Sequence, residues 1–282
     1  MPYISVRGVE HYYEWIKTSQ PHTHSSKPVM VFVHGWAGSG RYWQSTAEAL
    51  ASDFDCLLYD MRGFGRSTRL VQPPPVFSYE LEEYVEDLAA FLAALELPSV
   101  YINAHSMGAS VVTLFLNRYP QQVEKAILTC SGIFEYDEKS FTAFHKFGGY
   151  VVKFRPKWLG KIPLMHRFFM ARFLHRSIPS PLSQAFLEDF LLADYAAALG
   201  TIFTSVSQKA AEMMPQEFAK LSVPVLLVAG EYDKIIPAAM GQMAASLSPY
   251  VEFALVPQTA HFPMLEDSSM YLKTVQAFLA KD

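Results

Sequence analysis

The chain has 282 residues, of which 51% are hydrophobic and 18% are charged, and its formal net charge is −4. This composition excludes a disordered chain and permits a large packed core, and the length suggests one or two domains. The small net charge and the absence of a nucleic-acid motif exclude nucleic acid from the expected partners.

The positive charge is concentrated in one segment. Nine of the 23 Lys and Arg residues lie between Lys139 and Arg176, where there is no Asp or Glu, so the rest of the chain holds 14 basic and 27 acidic residues. The segment also contains nine aromatic residues: Phe141, Phe144, Phe147, Tyr150, Phe154, Trp158, Phe168, Phe169 and Phe173. Three hypotheses for a partner stay open: an anionic membrane surface, an acidic protein such as an acyl carrier protein, or a carboxylate or phosphate on the substrate. The alternative is a solvated basic face over aromatic side chains that pack on the protein.

Targeting signals are absent from the sequence pattern. The first 17 residues contain no apolar run of signal-peptide length, and the longest uncharged run, Leu97–Asn117, divides into a strand-like and a helix-like half. Cys56 and Cys130 are far apart and have no metal-ligand spacing, so we expect them to be buried free thiols. We therefore expect a cytoplasmic protein.

Short apolar runs typical of strands alternate with segments of helical spacing. Eight runs are predicted to be strands: Tyr3–Val6, His11–Ile16, Val29–Val33, Asp55–Tyr59, Ser99–Asn103, Val123–Thr129, Val223–Ala229 and Val251–Val256. Predicted helices include one that follows Ser78 as its N-cap with an apolar stripe from Leu81 to Leu95, then Met107–Tyr119 and Met264–Leu279. This alternation predicts the α/β fold class: a mostly parallel eight-stranded sheet with helices on both faces.

The alternation is interrupted once. Residues 133–217 contain helical and aromatic-rich sequence with no convincing buried strand. We interpret them as a helical cap inserted between two parts of one core, residues 1–132 and 218–282. Ligands of open α/β sheets bind at the carboxyl edge of the strands, so the cap is expected to cover that edge.

A candidate nucleophile follows the strand Ser99–Asn103. The pentapeptide Ala104-His105-Ser106-Met107-Gly108 leads directly into a predicted helix. A sharp strand–turn–helix junction needs small residues two before and two after its centre and exposes the central hydroxyl at the top of the sheet. Ala104 replaces the glycine usual at the first position, and the N–H of Met107, at the helix start, is directed toward a developing oxyanion.

Five segments in chain order resemble the α/β-hydrolase fold family, specifically its capped serine esterase branch. They are His34-Gly35-Trp36, Asp60-Met61-Arg62-Gly63-Phe64-Gly65-Arg66-Ser67, the Ser106 elbow, Gly230-Glu231-Tyr232-Asp233 and Ala260-His261-Phe262. The resemblance implies an enzyme that cleaves a carboxylic ester or related acyl compound through an acyl-enzyme. No P-loop, dinucleotide fingerprint, HExxH or Cys/His cluster occurs, so we expect neither a metal nor another cofactor.

A serine nucleophile needs a base and a carboxylate that orients the base. His261 follows the last strand, where the family places its catalytic histidine, and Asp233 follows the strand after the cap. The chain order Ser106, Asp233, His261 is the order of the family. Other candidates for the acid remain open: Glu231, Glu135 and Asp137.

The oxyanion hole is expected to combine two backbone N–H groups, those of Trp36 and Met107. Gly35 permits close approach of its loop to the substrate, His34 is expected to shape that loop, and His105 is expected to line the pocket. We group His34, Gly35 and His105 as pocket residues.

The substrate is not specified by these motifs. The segment His34-Gly35-Trp36 together with the basic cap is similar to bacterial esterases that cleave the methyl ester of pimeloyl-carrier protein, whose caps meet an acidic carrier. Three rival functions stay open: hydrolysis of a C–C bond in a β-diketone or ring-fission product, a cofactor-free oxygenase, and a non-catalytic ligand receptor.

Overall fold

A single mixed β-sheet forms the centre of the computed structural model, which describes residues 2–18, 27–70 and 78–281. Its strands are β1 (Tyr3–Val6), β2 (Val9–Ile16), β3 (Val29–Val33), β4 (Asp55–Tyr59), β5 (Arg69–Leu70), β6 (Val100–His105), β7 (Val123–Thr129), β8 (Val225–Gly230) and β9 (Val251–Val256). Their order across the sheet is β1-β2-β4-β3-β6-β7-β8-β9, and the short β5 pairs with β2.

The predicted fold class is confirmed. Across the part of the sheet ordered β4-β3-β6-β7-β8-β9, every neighbouring pair is parallel. Strand β2 pairs antiparallel with β1, β4 and β5. The eight predicted strands all form, and β5 is an addition that the sequence pattern did not predict. Strand β8 begins at Val225 and not at Val223, because Pro224 has no N–H to donate to the sheet; its carbonyl still accepts from Ala126.

Eleven α-helices lie in the described residues. They are α1 (Gln44–Leu50), α2 (Leu81–Ala94), α3 (Met107–Arg118), α4 (Glu138–Lys153), α5 (Met165–Met170), α6 (Ser180–Leu192), α7 (Tyr195–Ser205), α8 (Gln208–Ala219), α9 (Ala238–Ala245), α10 (Pro263–Glu266) and α11 (Ser268–Leu279).

Two predicted helix boundaries differ in the structure. Helix α2 begins after Glu80, and Ser78 instead accepts a hydrogen bond from the Glu80 N–H at 3.4 Å, so Ser78 is not the N-cap. The helix predicted over Met264–Leu279 is divided at Asp267, whose φ is −144° and whose carboxylate accepts from the Met270 N–H at 3.1 Å. Asp267 stabilises the start of a new helix more than the continuation of the old one, because capping side chains compete with helical backbone hydrogen bonds.

The sheet has a packed core on each face. Along β3, Val31 and Val33 pack with α2 and α3 on one face, and Met30 and Phe32 pack with α1 and α11 on the other. Successive residues of a strand point to opposite faces, so a strand covered on both faces must be apolar throughout. This explains why continuous apolar runs mark the central strands.

Between β7 and β8 the described chain is helical, comprising α4 to α8 and a 3₁₀ turn at Lys157–Lys161. We refer to residues 133–217 as the cap. The boundaries of the cap stay a prediction, since α8 extends past 217 and contacts α3 and α9 of the core. None of the described helices is both long enough and apolar enough to span a membrane.

Candidate active site

Ser106 occupies a strained turn between β6 and α3. Its φ is 53° and its ψ is −124°, a conformation that non-glycine residues adopt at an energetic cost. The neighbouring strand holds this turn, because the Ser106 N–H donates to the carbonyl of Thr129 at 2.9 Å. The turn held in this way places Ser106 at the N-terminus of α3 and at the carboxyl edge of the sheet.

Two glycines let the surrounding backbone approach this turn. A Cβ atom added to Gly108 would lie 2.3 Å from the carbonyl oxygen of His34. A Cβ atom added to Gly35 would lie 2.9 Å from Nδ1 of His105 and 3.0 Å from Cβ of Ser106. The loop that carries His34 and Gly35 is thus in direct contact with the serine turn, and neither position tolerates a side chain without displacement.

The structure brings Ser106, His261 and Asp233 into one hydrogen-bonded chain. Nε2 of His261 lies 3.0 Å from Oγ of Ser106, and Nδ1 of His261 lies 2.7 Å from Oδ2 of Asp233. Because an ionised carboxylate only accepts, Nδ1 of His261 carries the proton and Nε2 is free to accept the serine proton. This is the geometry that a serine nucleophile and its base require.

Asp233 is buried and remains ionised. Burial by itself raises the pKa of Asp233, but the charge and hydrogen bond of His261 and the N–H groups of Ile235 and Ile236, at 2.7 and 3.1 Å from Oδ1, hold that pKa below its usual value. The alternative acids lie elsewhere: Glu231, Glu135 and Asp137 are exposed, and Glu231 accepts from the Gln258 N–H.

His34 holds the loop that faces the serine turn. Its Nε2 accepts from the Met61 N–H at 2.8 Å, so Nδ1 carries the proton and donates to the carbonyl of Gly35, also at 2.8 Å. Burial lowers the pKa of His34, which keeps the ring neutral and able to accept at one nitrogen and donate at the other. The expected role of His34 in shaping the loop agrees with these contacts.

His105, a predicted pocket residue, has both ring nitrogens engaged by groups of the protein. Its ring is buried, Nε2 is 2.7 Å from the carbonyl of His261, and Nδ1 is 2.9 Å from the hydroxyl of Tyr42. Because a carbonyl only accepts, Nε2 carries the proton and Nδ1 accepts from Tyr42, whose oxygen in turn accepts from the Gly35 N–H at 2.5 Å. Burial, with a smaller contribution from the charge of His261, lowers the pKa of His105 well below its usual value and keeps this arrangement neutral.

This network is a feature that sequence reasoning missed. The Tyr42 hydroxyl and the His105 ring connect the Gly35 N–H to the His261 carbonyl through hydrogen bonds. Because His105 directly precedes Ser106, the network joins the Gly35 loop, the serine turn and the His261 loop. Tyr42 carries no motif that would identify it. The position of His105 could have been found from strand alternation, since Tyr101 and Asn103 of β6 share its face.

Two backbone N–H groups remain available near the serine. In the part of the chain that the structure describes, the N–H groups of Trp36 and Met107 have no protein acceptor. The Trp36 side chain, however, is engaged, since its Nε1 donates to the carbonyl of Ala198 in α7 at 2.9 Å. Unused donors beside a nucleophile at a helix N-terminus are suited to stabilising an oxyanion.

Glu266 is a second residue that the sequence did not indicate. Its carboxylate accepts four backbone N–H groups: those of Ala260 and Phe262, which flank His261, and those of His175 and Arg176 at the end of the basic segment. The His261 N–H also donates to the carbonyl of Phe173 at 2.9 Å. The loop that presents His261 is thus anchored to the cap. The sequence shows only an acidic residue directly after the apolar residues 262–265, which does not reveal the partners of Glu266.

One group of side chains in the described residues has the spacing of a metal site. It consists of His105, Cys130 and His261, whose candidate ligand atoms lie within 4.8 Å of one another. All four imidazole nitrogens are already engaged in hydrogen bonds. Burial raises the pKa of the Cys130 thiol well above its usual value, and the thiol lies 3.8 Å from the carbonyl of Ala260. The donor set therefore does not suit a metal ion, because ligands must be unprotonated and unoccupied.

Residues 28–268 match a protein family described as having the alpha/beta hydrolase fold. The chain is 24% identical to a proline iminopeptidase of Heyndrickxia coagulans, over 89% of this chain and 90% of that protein. It is 23% identical to a pimeloyl-[acyl-carrier protein] methyl ester esterase of Vibrio cholerae, over 89% and 94% of the two chains. The solved structure of an esterase from Exiguobacterium antarcticum superimposes with a TM-score of 0.79 at 18% identity, covering 99% of both chains.

Proposed function

Since the chain belongs to the α/β-hydrolase fold family and is a hydrolase, we propose that it cleaves a carboxylic ester or related acyl compound through an acyl-enzyme on Ser106. The observation that carries this proposal is the hydrogen-bonded chain from Asp233 through His261 to a serine held at a positive φ. Esterases among the similar proteins support it further.

In the first half of the proposed reaction, Oγ of Ser106 attacks the carbonyl carbon of the ester while its proton moves to Nε2 of His261. The oxyanion accepts hydrogen bonds from the N–H groups of Trp36 and Met107. Loss of one such donor typically lowers turnover by a factor of about 10²–10³. When the tetrahedral intermediate collapses, the C–O bond to the alcohol breaks, and the alcohol leaves with the proton from Nε2. The acyl group remains on Ser106.

In the second half, a water molecule gives a proton to Nε2 of His261 and attacks the acyl-enzyme. Ser106 regains that proton as the carboxylic acid leaves. In both halves the imidazolium of His261 is stabilised by the ionised carboxylate of Asp233, which stays unprotonated. The lowered pKa of Asp233 fits this role, because an uncharged partner would neither select the tautomer nor stabilise the cation.

The test is hydrolysis of short and medium p-nitrophenyl esters by the intact chain and by two variants. Ser106→Ala is expected to abolish turnover, whereas Ser110→Ala, one turn further along α3, is the matched control and should retain it. A fluorophosphonate should label the intact chain and Ser110→Ala but not Ser106→Ala. Unchanged turnover in Ser106→Ala would overturn the proposal.

Adding β-diketone and ring-fission dienoate substrates and a His261→Ala variant to this experiment separates the rival functions. A C–C hydrolase would act on β-diketones or ring-fission dienoates and little on simple esters. A cofactor-free oxygenase would depend on His261 more than on Ser106, and a ligand receptor would form no fluorophosphonate adduct. The cytoplasmic location expected from the sequence also belongs to the proposal and is tested by cell fractionation.

A further inference from the structure

The outer face of α4 is aromatic and basic. Phe147, Tyr150 and Phe154, which directly follows the helix, lie on one side and are exposed, with Phe154 exposed by 74% and Tyr150 by 62%. Successive helix residues are about 100° apart, which places Lys146 and Lys153 beside these rings on the same outward side. The opposite side is the packed one: Phe141 and Val152 are buried there.

The next segment repeats the arrangement. Trp158, Leu164 and Phe168 are exposed, Phe168 by 81%. Their neighbours Leu159, Met165 and Phe169 pack inward on a small cluster, and Val151 of α4 packs on the same cluster. Both segments therefore have a filled inner side and still present large apolar side chains outward. Single exposed apolar residues are normal, but six large ones within 22 consecutive residues, from Phe147 to Phe168, indicate an interaction site.

The basic side chains on this surface have no acidic partners. Of the nine Lys and Arg residues between Lys139 and Arg176, only Arg176 forms an ion pair with a described residue, Asp267. Arg155 donates to the carbonyls of Val152 and Phe190. Elsewhere in the described residues several exposed basic side chains are paired, as Arg118 is with Glu86 and Lys209 with Glu80 and Glu82, although Lys234 and Lys273 form no ion pair. The positive charge of the cap surface is thus free to attract an external anion.

We propose that this surface docks on an anionic lipid bilayer. We define the cap surface by the exposed residues Phe147, Tyr150, Phe154, Trp158, Leu164 and Phe168 together with Lys146, Lys153, Lys157, Lys161, Arg167 and Arg172. Helices that lie in the membrane interface combine Phe, Leu or Trp with Lys and Arg, and each basic residue adds attraction to anionic headgroups.

The composition favours a lipid surface over an acidic protein. Cores of protein interfaces are enriched in aromatic residues and Arg and are depleted in Lys. The cap surface shares the aromatic residues but has more Lys than Arg. A lysine ammonium acts as a point charge that suits a diffuse anionic surface, whereas planar, bidentate recognition of a single carboxylate favours Arg.

Docking would bring the bilayer against the cap segment that is hydrogen-bonded to the His261 loop of the candidate active site. The cap segment that carries the surface ends at Phe173, His175 and Arg176, which bind the His261 loop directly and through Glu266. The inference goes beyond the proposed function, because binding to a bilayer needs neither Ser106 nor a reaction.

The experiment is sedimentation of the full chain with vesicles of phosphatidylcholine alone and of phosphatidylcholine containing about one third phosphatidylglycerol. We expect binding to the anionic vesicles that weakens from about 0.05 M to about 0.5 M salt, because charge attraction is screened. The emission of Trp158 should shift to the blue on binding, and Trp158→Phe should remove that shift.

Three double variants complete the test, each checked for native circular dichroism. Lys146→Gln with Lys153→Gln should weaken binding about 25-fold, since each basic residue near the headgroups changes it about fivefold. Phe147→Ser with Phe154→Ser should weaken it by at least about tenfold through lost apolar insertion. The control variant, Lys273→Gln with Tyr250→Ser, changes exposed residues on other elements and should bind as the native chain does.

Absence of binding, equal binding to both vesicle types, or native-like binding by the lysine variant would each overturn the inference. Binding of an acidic carrier protein in the absence of vesicle binding would also overturn it and assign the surface to a protein. Ser106→Ala keeps the two proposals separate: it should bind vesicles like the native chain even though its ester hydrolysis is lost.

Discussion

Tyr42 is the residue whose removal best tests how the site is positioned. Its hydroxyl accepts from the Gly35 N–H at 2.5 Å and lies 2.9 Å from Nδ1 of His105, to which it donates. Both partners are buried, so water does not replace the hydroxyl freely. The variant Tyr42→Phe deletes this one atom and keeps the ring that stacks on Phe186.

The expected effects follow from the two groups left without a partner. A buried donor or acceptor that loses its partner costs about 1–3 kcal/mol, so the loss of two partners in Tyr42→Phe should lower the free energy of unfolding by about 2–6 kcal/mol. Gly35 directly precedes Trp36, whose N–H is a proposed oxyanion donor. Because complete loss of such a donor costs about 10²–10³ in turnover, a displaced donor should reduce kcat by about 10–100-fold with little change in KM.

The assay pairs urea unfolding with kcat and KM on the best p-nitrophenyl ester. Tyr271→Phe is the matched control, because the Tyr271 hydroxyl is also buried and has two partners, Thr129 and Asn103, at 2.8 and 2.9 Å. It should lose similar stability while its kcat stays native. If Tyr42→Phe lost stability but kept its kcat, the network would have no positioning role. If it lost neither, the hydrogen bonds themselves would be refuted.

Three further changes test other parts of the site and the core. Glu266→Gln should lower the free energy of unfolding by about 3 kcal/mol and reduce kcat, because an amide cannot accept four N–H groups. The control Glu231→Gln changes an exposed carboxylate and should alter neither quantity. Equal urea midpoints for the two variants would contradict this expectation. Gly35→Ala should reduce kcat about 100-fold, because the added Cβ would displace the loop from the serine turn. Gly149→Ala is the control and should remain active, because the nearest atom to its added Cβ lies at 4.0 Å. Similar kcat values for both variants would refute the close approach of the Gly35 loop to Ser106. Burial lowers the pKa of His11 to about 4 from 6.5, so between these values the unfolded chain binds a proton that the folded chain does not, and acid destabilises the fold. From pH 6.5 to 5 the native chain should therefore lose about 2 kcal/mol more than His11→Gln, and parallel losses of unfolding free energy would contradict this assignment.

Local sequence was sufficient for eight of the nine strands and for the serine turn. Continuous apolar runs can be buried on both faces, which identified the central strands, and the small residues Ala104 and Gly108 identified the turn around Ser106. Helix ends were less certain, because a capping side chain such as that of Asp267 competes with helix continuation only when its geometry permits.

The partners of each functional group required the tertiary structure. Four acidic residues were candidates for orienting His261, and only the fold brings Asp233 to 2.7 Å from its Nδ1. The hydrogen bonds of Tyr42 and Glu266 join loops that are distant in sequence, so no local sequence pattern indicates these hydrogen bonds.

The sequence by itself determined which segments are apolar enough to form the α/β core and which residue types could perform the chemistry. Those properties depend on local composition and spacing. The tertiary structure decided which side chains meet at the carboxyl edge of the sheet, which groups His105 binds, and which aromatic residues of the cap remain exposed. Such properties depend on contacts between segments far apart in the chain, and chain folding alone sets those contacts.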